Sequence, residues 1–101
     1  MLARDTDIIA ERAEEAAALL RLLGNGNRLR ILCHLIDAGE LPVNALAARV
    51  GLSQSALSQH LARLREQGLV ATRRDAQTIH YRVPESDALT ILQALKQVYC
   101  P

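Results

Sequence analysis

Two cysteines, Cys33 and Cys100, are the most reactive side chains of this 101-residue sequence. A cysteine thiolate attacks sulfur electrophiles, which makes each residue a candidate for redox chemistry. Taken alone, Cys33 is most simply a small buried hydrophobe, because it shares a helical face with Leu29 and Leu32. Cys100 lies at the end of the chain, away from the apolar stripe of its helix, where a thiol indicates reactivity.

The three histidines, His34, His60 and His80, show no paired metal spacing such as CxxC or HxxxH. His60 lies at the edge of an apolar stripe and is interpreted as a packed residue. The sequence therefore predicts neither a metal site nor a cofactor.

Residues 54–63 combine hydroxyl and amide side chains on one helical face. Leu57, Leu61 and Leu64 fall on the other face and are expected to pack in the core. The polar face presents Gln54, Ser55, Ser58, Gln59 and Arg63. Gln and Ser hydrogen-bond to base edges, and Gln pairs bidentately with adenine. An ordinary solvated face is the alternative, but such faces usually carry Glu and Lys, and residues 53–62 carry no charged Asp, Glu, Lys or Arg.

Residues 69–74 and 78–83 read as two strands of a hairpin, joined by residues 75–77. Its candidate DNA contacts are Arg73, Arg74, Gln77 and His80. Side chains alternate along a strand, so only some of these can share a face. A hairpin with solvated arginines is the alternative interpretation.

The net charge of +1 is unevenly distributed along the chain. Residues 49–82 contain six arginines against two acidic residues, a net charge of +4, whereas the segments before and after carry −2 and −1. Positive charge thus coincides with the proposed DNA-reading unit, as phosphate neutralisation requires. A chance excess on a solvated face would look the same.

These segments need helices to position them. Apolar residues recur at helical spacing between Gly and Pro residues, which predicts helices over residues 5–23, 27–38, 42–50, 54–67 and 86–99. We expect Pro42 in the first turn of the third helix and Ser53 as the N-cap of the fourth. On the last helix, the expected buried stripe is Ile91, Ala94, Leu95 and Val98. The order ααααββα is mainly α with a small β-hairpin, and predicts a winged helix-turn-helix.

The length corresponds to one domain over residues 1–101. With no Phe or Trp, the core must be aliphatic, and a shared dimer interface would add stability. The N-terminus has no signal-peptide pattern, and no apolar run is long enough to span a membrane. We expect a cytoplasmic protein.

The segments LLGNGNRLRIL, GLSQSALSQHLARLREQGLV and RRDAQTIHYRV resemble the ArsR/SmtB family of bacterial winged-helix repressors along almost the whole chain. The resemblance implies a homodimer, packed through the first and last helices, that binds an operator with inverted repeats until an inducer releases it. The metal ligands of classical members are missing. Pro42-Val43-Asn44 stands where arsenic sensors have Cys-Val-Cys, and Asp87 is the only match to the zinc-type ligands.

The cysteine placement, in ILC and in the terminal YC, resembles the BigR/SqrR branch, which senses sulfane sulfur. That resemblance implies a switch in which persulfidation of one thiolate is followed by attack from the other, so that a disulfide or polysulfide bridge joins Cys33 and Cys100. The alternatives are a metal- or metalloid-responsive repressor using both cysteines, a small thiol enzyme, and a protein that coats DNA without sequence preference. We expect a regulator and not an enzyme, because the sequence has no CxxC and no evident substrate pocket.

Overall fold

The computed structural model describes residues 3–99, with side chains from Asp7 onward; Cys100 and Pro101 lie outside the described residues. In chain order the elements are α1 (Ala3–Glu11), α2 (Ala13–Leu23), α3 (Gly26–Ala38), β1 (Leu41–Pro42), α4 (Val43–Val50), α5 (Gln54–Glu66), β2 (Ala71–Asp75), β3 (Thr78–Arg82) and α6 (Asp87–Tyr99). Helix α4, a tight turn, helix α5 and a β-hairpin form the winged helix-turn-helix. The predicted fold class is confirmed.

The element order differs from the predicted ααααββα in two places. The helix expected over residues 5–23 is divided at Arg12, which has φ −104° and ψ 18°. Backbone hydrogen bonds from Arg12 to Ile8 and Ile9 and from Ala16 to Arg12 span the break, so the apolar periodicity continues across it. No Gly or Pro marks this position in the sequence.

The second difference is strand β1, which the sequence did not predict. Pro42 lies in this strand with φ −73° and ψ 160°, immediately before α4 and not in its first turn. Leu41 pairs with Tyr81 and Pro42 with His80, giving an antiparallel sheet of order β1-β3-β2. Pro is compatible with β1 because this is an edge strand, where a missing N–H leaves the ladder intact.

The core is aliphatic, as expected, and α3 lies at its centre. Ile31, Leu32 and Leu35 of this helix are fully buried. The remaining buried residues among the described side chains come from α2, β1, α4, α5, the segment before β2 and α6: Leu23, Leu41, Leu46, Leu57, Leu61, Leu64, Leu69, Val70, Ala88 and Leu92. Helix α3 therefore supports both the reading unit and α6.

On α6 the expected stripe is wrong in part. Ala88 and Leu92 are buried, and Ile91 and Leu95 pack partly against the core, but Ala94 is exposed. Val98 is also exposed, with 68% of its surface accessible. The apolar periodicity correctly predicted a helix, but the face of α6 that packs against the core differs from the predicted face.

The turn between α4 and α5 is fixed by two local devices. Gly51 adopts φ 70°, the left-handed conformation that ends a helix without a Cβ clash. Ser53 then caps α5, its Oγ accepting from the Ala56 N–H at 3.1 Å. Both roles agree with the sequence-based predictions.

Candidate nucleic-acid interface and thiol groove

Helix α5 has one side that is buried in the core and one side that is exposed to solvent. Leu57, Leu61 and Leu64 are no more than 1% exposed. The residues predicted to read DNA are all exposed on the outward side: Gln54, Ser55, Ser58, Gln59 and Arg63. The structure thus brings together five of the predicted contacts on one solvent-facing surface, which we call the reading face.

The wing is the hairpin of β2 and β3. Its register pairs Arg73 with His80 and Arg74 with Ile79, so the two neighbouring arginines point to opposite faces of the sheet. The turn consists of Ala76 and Gln77, and Ala76 has φ 56°. The loop is therefore one residue shorter than the predicted connection of residues 75–77, because Asp75 pairs with Thr78.

Arg73 is engaged within the protein. Its Nε lies 2.9 Å from both carboxylate oxygens of Glu40, and its Nη2 donates to Glu40 Oε1 as well. A second carboxylate, Asp75, lies 4.0 Å from Arg73 Nη1. Hydrogen bonding from Arg73 lowers the pKa of Glu40 below its ordinary value of 4.5, and Glu40 raises the pKa of Arg73. Arg73 would have to leave Glu40 to reach a phosphate.

The other predicted wing contacts differ in accessibility. Arg74 and Gln77 are exposed, and within the described part of the chain Arg74 forms no ion pair. His80 is half-buried between Arg73 and Pro42 in adjacent strands. Among the predicted wing contacts, Arg74 is therefore the arginine that can bind an external anion without first breaking an ion pair.

Cys33 is exposed, so the interpretation of this residue as a small buried hydrophobe is wrong. Leu32, the residue immediately before it in the chain, takes the buried position in α3 instead. Cys33 lines an open groove of about 600 Å³ between α3 and the last turns of α6. The groove is lined by Leu29, Arg30, Cys33, His34, Asp37, Leu95, Lys96 and Tyr99.

An ion pair between Lys96 and Asp37, at 3.7 Å, joins α6 to α3 beside this groove. Cys100 follows Tyr99 directly in the sequence, but it lies outside the described residues. Of the predicted thiol pair, the structure therefore describes Cys33 and not Cys100.

Sequence reasoning did not single out Glu40 or Arg28. Glu40 follows a helix-ending glycine, and its partner lies 33 positions away, so no local pattern reveals the pair. Arg28 was assigned only to the start of a helix, yet its Nη1 donates to the Leu22 carbonyl at 3.3 Å. Its buried Nε has no hydrogen-bond partner in the part of the chain that the structure describes.

The described side chains contain no group of three or more His, Cys, Asp or Glu that could hold a metal ion. Across residues 3–99, no helix has both the length and the apolarity needed to cross a bilayer.

Comparison with known proteins places these features in a family. The family model "Bacterial regulatory protein, arsR family" matches residues 25–72, which include α3, α4 and α5. Nodulation protein NolR of Rhizobium meliloti is 55% identical over 89 residues, covering 88% of this chain and 72% of NolR.

Two solved structures show the same fold. The transcriptional repressor BigR from Xylella fastidiosa has a TM-score of 0.82 and 39% identity, covering 100% of this chain and 99% of BigR. The homodimeric winged helix-turn-helix DNA-binding domain of Mb0332 from Mycobacterium bovis has a TM-score of 0.74 and 31% identity. The match covers 89% of this chain and 82% of the Mb0332 domain. The expectation of a regulator and not an enzyme is confirmed by these relatives. This chain belongs to the arsR family of bacterial regulatory proteins.

Proposed function

We propose that this protein is a homodimeric transcriptional repressor that binds operator DNA and is released from it by oxidation or persulfidation of Cys33 and Cys100. The observation that carries the DNA-binding half is the reading face of α5. Its five outward residues include amides and hydroxyls that match base edges, and none is acidic. The wing adds exposed Arg74 beside this face.

Dimer formation is supported by apolar surface on the terminal helices. Ile8 and Ile9 of α1, Leu20 of α2 and Val98 of α6 are each about half exposed or more. A monomer this small gains stability by covering such residues in a shared interface. The homodimeric Mb0332 domain supports the same assembly. Two reading faces related by two-fold symmetry would match an operator with inverted repeats.

The thiol switch is supported by the exposure of Cys33 and by the groove that it shares with the end of α6. Tyr99, which lines that groove, immediately precedes Cys100 in the sequence.

The chemistry balances with a sulfane-sulfur donor as oxidant. One cysteine thiolate attacks the donor's sulfane sulfur, forming a persulfide and releasing the donor's thiolate. The other thiolate attacks the inner sulfur of that persulfide, forming the disulfide and releasing hydrosulfide. The bridge would tie α6 to α3 and shift the dimer toward a geometry with lower operator affinity.

Operator binding by the Cys33→Ser and Cys100→Ser variants tests this proposal. We expect inorganic polysulfide to weaken binding by the unmodified protein about tenfold or more, and dithiothreitol to restore it. Each Ser variant should bind the operator like the reduced protein and remain bound after treatment. Mass spectrometry should find the Cys33–Cys100 bridge. Release of either variant by polysulfide would contradict the switch.

A metal- or metalloid-responsive repressor is distinguished by the same assay. His34 lines the groove beside Cys33, so a thiophilic ion could bind there. Release by a metal titration under reducing conditions, with no response to polysulfide, would assign the site to a metal.

A further inference from the structure

A second surface groove, of about 530 Å³, lies between the start of α3 and the outward side of α5. We call it the Arg28 groove. It is lined by Arg28, Gln59, His60, Ala62, Arg63 and Glu66. Gln59 and Arg63 belong to the reading face, so this groove opens on the surface proposed to meet DNA.

Two guanidinium groups line the Arg28 groove without a carboxylate partner. Within the described residues neither Arg28 nor Arg63 forms an ion pair, although Glu66 lines the same groove. Arg28 lies in the first turn of the 13-residue α3, where the helix dipole adds positive potential. The groove therefore has two arginines against one carboxylate, a net positive charge.

The Arg28 guanidinium is held in place at the groove. Its Nη1 donates to the Leu22 carbonyl, which fixes the guanidinium at the end of α2. Its Nε is enclosed by the protein and has no hydrogen-bond partner among the described residues, so a ligand in the groove would bind the Nη donors instead. A phosphate oxygen accepts strongly from a guanidinium.

We infer that the Arg28 groove binds a backbone phosphate of the DNA strand flanking the reading face, with Arg28 and Arg63 as its cationic ligands. A helix in the major groove has phosphates along both sides, and contacts to them fix its register without reading sequence. His60 and Gln59 provide further hydrogen-bonding groups at the same place. This inference rests on the proposed DNA binding and adds Arg28, which lies outside both the reading face and the wing, to the residues that contact DNA.

Salt-dependent operator binding by the Arg28→Gln and Arg28→Lys variants tests the groove, using the reduced protein. One lost phosphate contact should reduce the slope of log affinity against log salt by about 0.9. Arg28→Gln should show that reduction, with affinity about fivefold lower near physiological salt. Arg28→Lys keeps the charge and should retain most of the slope. The control is Arg65→Gln on α5. It also removes one positive charge, but Arg65 does not line the groove.

Single methylphosphonate substitutions in the operator locate the contact. One neutralised phosphate should weaken binding by the unmodified protein and have no effect on Arg28→Gln. Thermal unfolding of each variant separates this effect from loss of structure. Equal slopes for Arg28→Gln, Arg65→Gln and the unmodified protein would overturn the inference, as would equal loss in Arg28→Gln and Arg28→Lys.

Two further outcomes are distinguishable. If inorganic phosphate at constant ionic strength stabilises the unmodified protein but not Arg28→Gln, while the DNA slopes agree, the groove takes a free anion and the DNA assignment is wrong. If the unmodified protein binds no duplex at any salt concentration, the proposed function itself fails, and this inference fails with it.

Discussion

Replacing Glu40 with Gln should strengthen DNA binding, because it frees Arg73. In the structure the Arg73 guanidinium contacts both Glu40 oxygens, while Arg74 on the opposite face of the wing has no ion pair among the described residues. A phosphate must compete with Glu40 for Arg73, whereas it meets no such competitor at Arg74. Glu40→Gln keeps the size and polarity of the side chain and removes only its charge.

The magnitude follows from counting charges on the wing. Arg73, Arg74 and Arg82 are opposed by Glu40 and Asp75, so Glu40→Gln raises the net charge of this surface from +1 to +2. One additional phosphate contact steepens the slope of log affinity against log salt by about 0.9. Near physiological salt this corresponds to about fivefold tighter binding.

Fluorescence anisotropy of a labelled operator, titrated with reduced protein over a series of salt concentrations, measures both quantities. The control is Glu15→Gln, which breaks an exposed ion pair with Arg12 and changes the net charge equally, but lies on α2. Its salt slope should match that of the unmodified protein. An unchanged slope for Glu40→Gln would refute the competition argument. Weaker binding would show that Glu40 chiefly orients the wing.

Three other predictions concern stability and ionisation. Leu57→Ala should lower the free energy of unfolding by about 2–5 kcal/mol in urea denaturation, because Leu57 is fully buried; a smaller loss would mean that α5 is less firmly packed. Ala76→Gly should raise the free energy of unfolding by about 1 kcal/mol, because Ala76 has φ 56°; a loss would contradict the strained turn. Arg73 lowers the pKa of Glu40 below 4.5, so the pair's stabilisation is present above pH 4.5 and is lost as pH falls through the lowered value. Arg73→Gln should return the Glu40 pKa toward 4.5 in carboxyl NMR titrations, and an unchanged pKa would exclude Arg73 as the cause.

The reading unit was predictable because its determinants are local. Leu57, Leu61 and Leu64 recur at helical spacing, Ser53 precedes the helix as an N-cap, and Gly51 marks the turn. Each of these signals acts within about one helical turn, which is the range over which sequence pattern specifies backbone conformation.

Features that depend on distant partners were not predictable. Strand β1 exists because Leu41 meets Tyr81, 40 positions later, and two residues alone show no strand periodicity. Cys33 shares a helical face with Leu29, but which face of α3 meets the core depends on where elements distant in sequence pack against it. For the same reason the stripe expected on α6 was displaced toward Ala88 and Leu92.

The division of α5 into a buried leucine side and an exposed polar side has an evolutionary consequence. Substitutions at Ser55, Ser58 or Gln59 change groups that contribute little to the core, so under the proposed function we expect them to alter which operator is bound at small cost in stability. Substitutions at Leu57 or Leu61 should instead lower stability and leave the polar groups of the exposed side unchanged, because both leucines are buried. A gene duplicate of this regulator could therefore acquire a new set of target genes through a few mutations on one helix, while the fold stays intact.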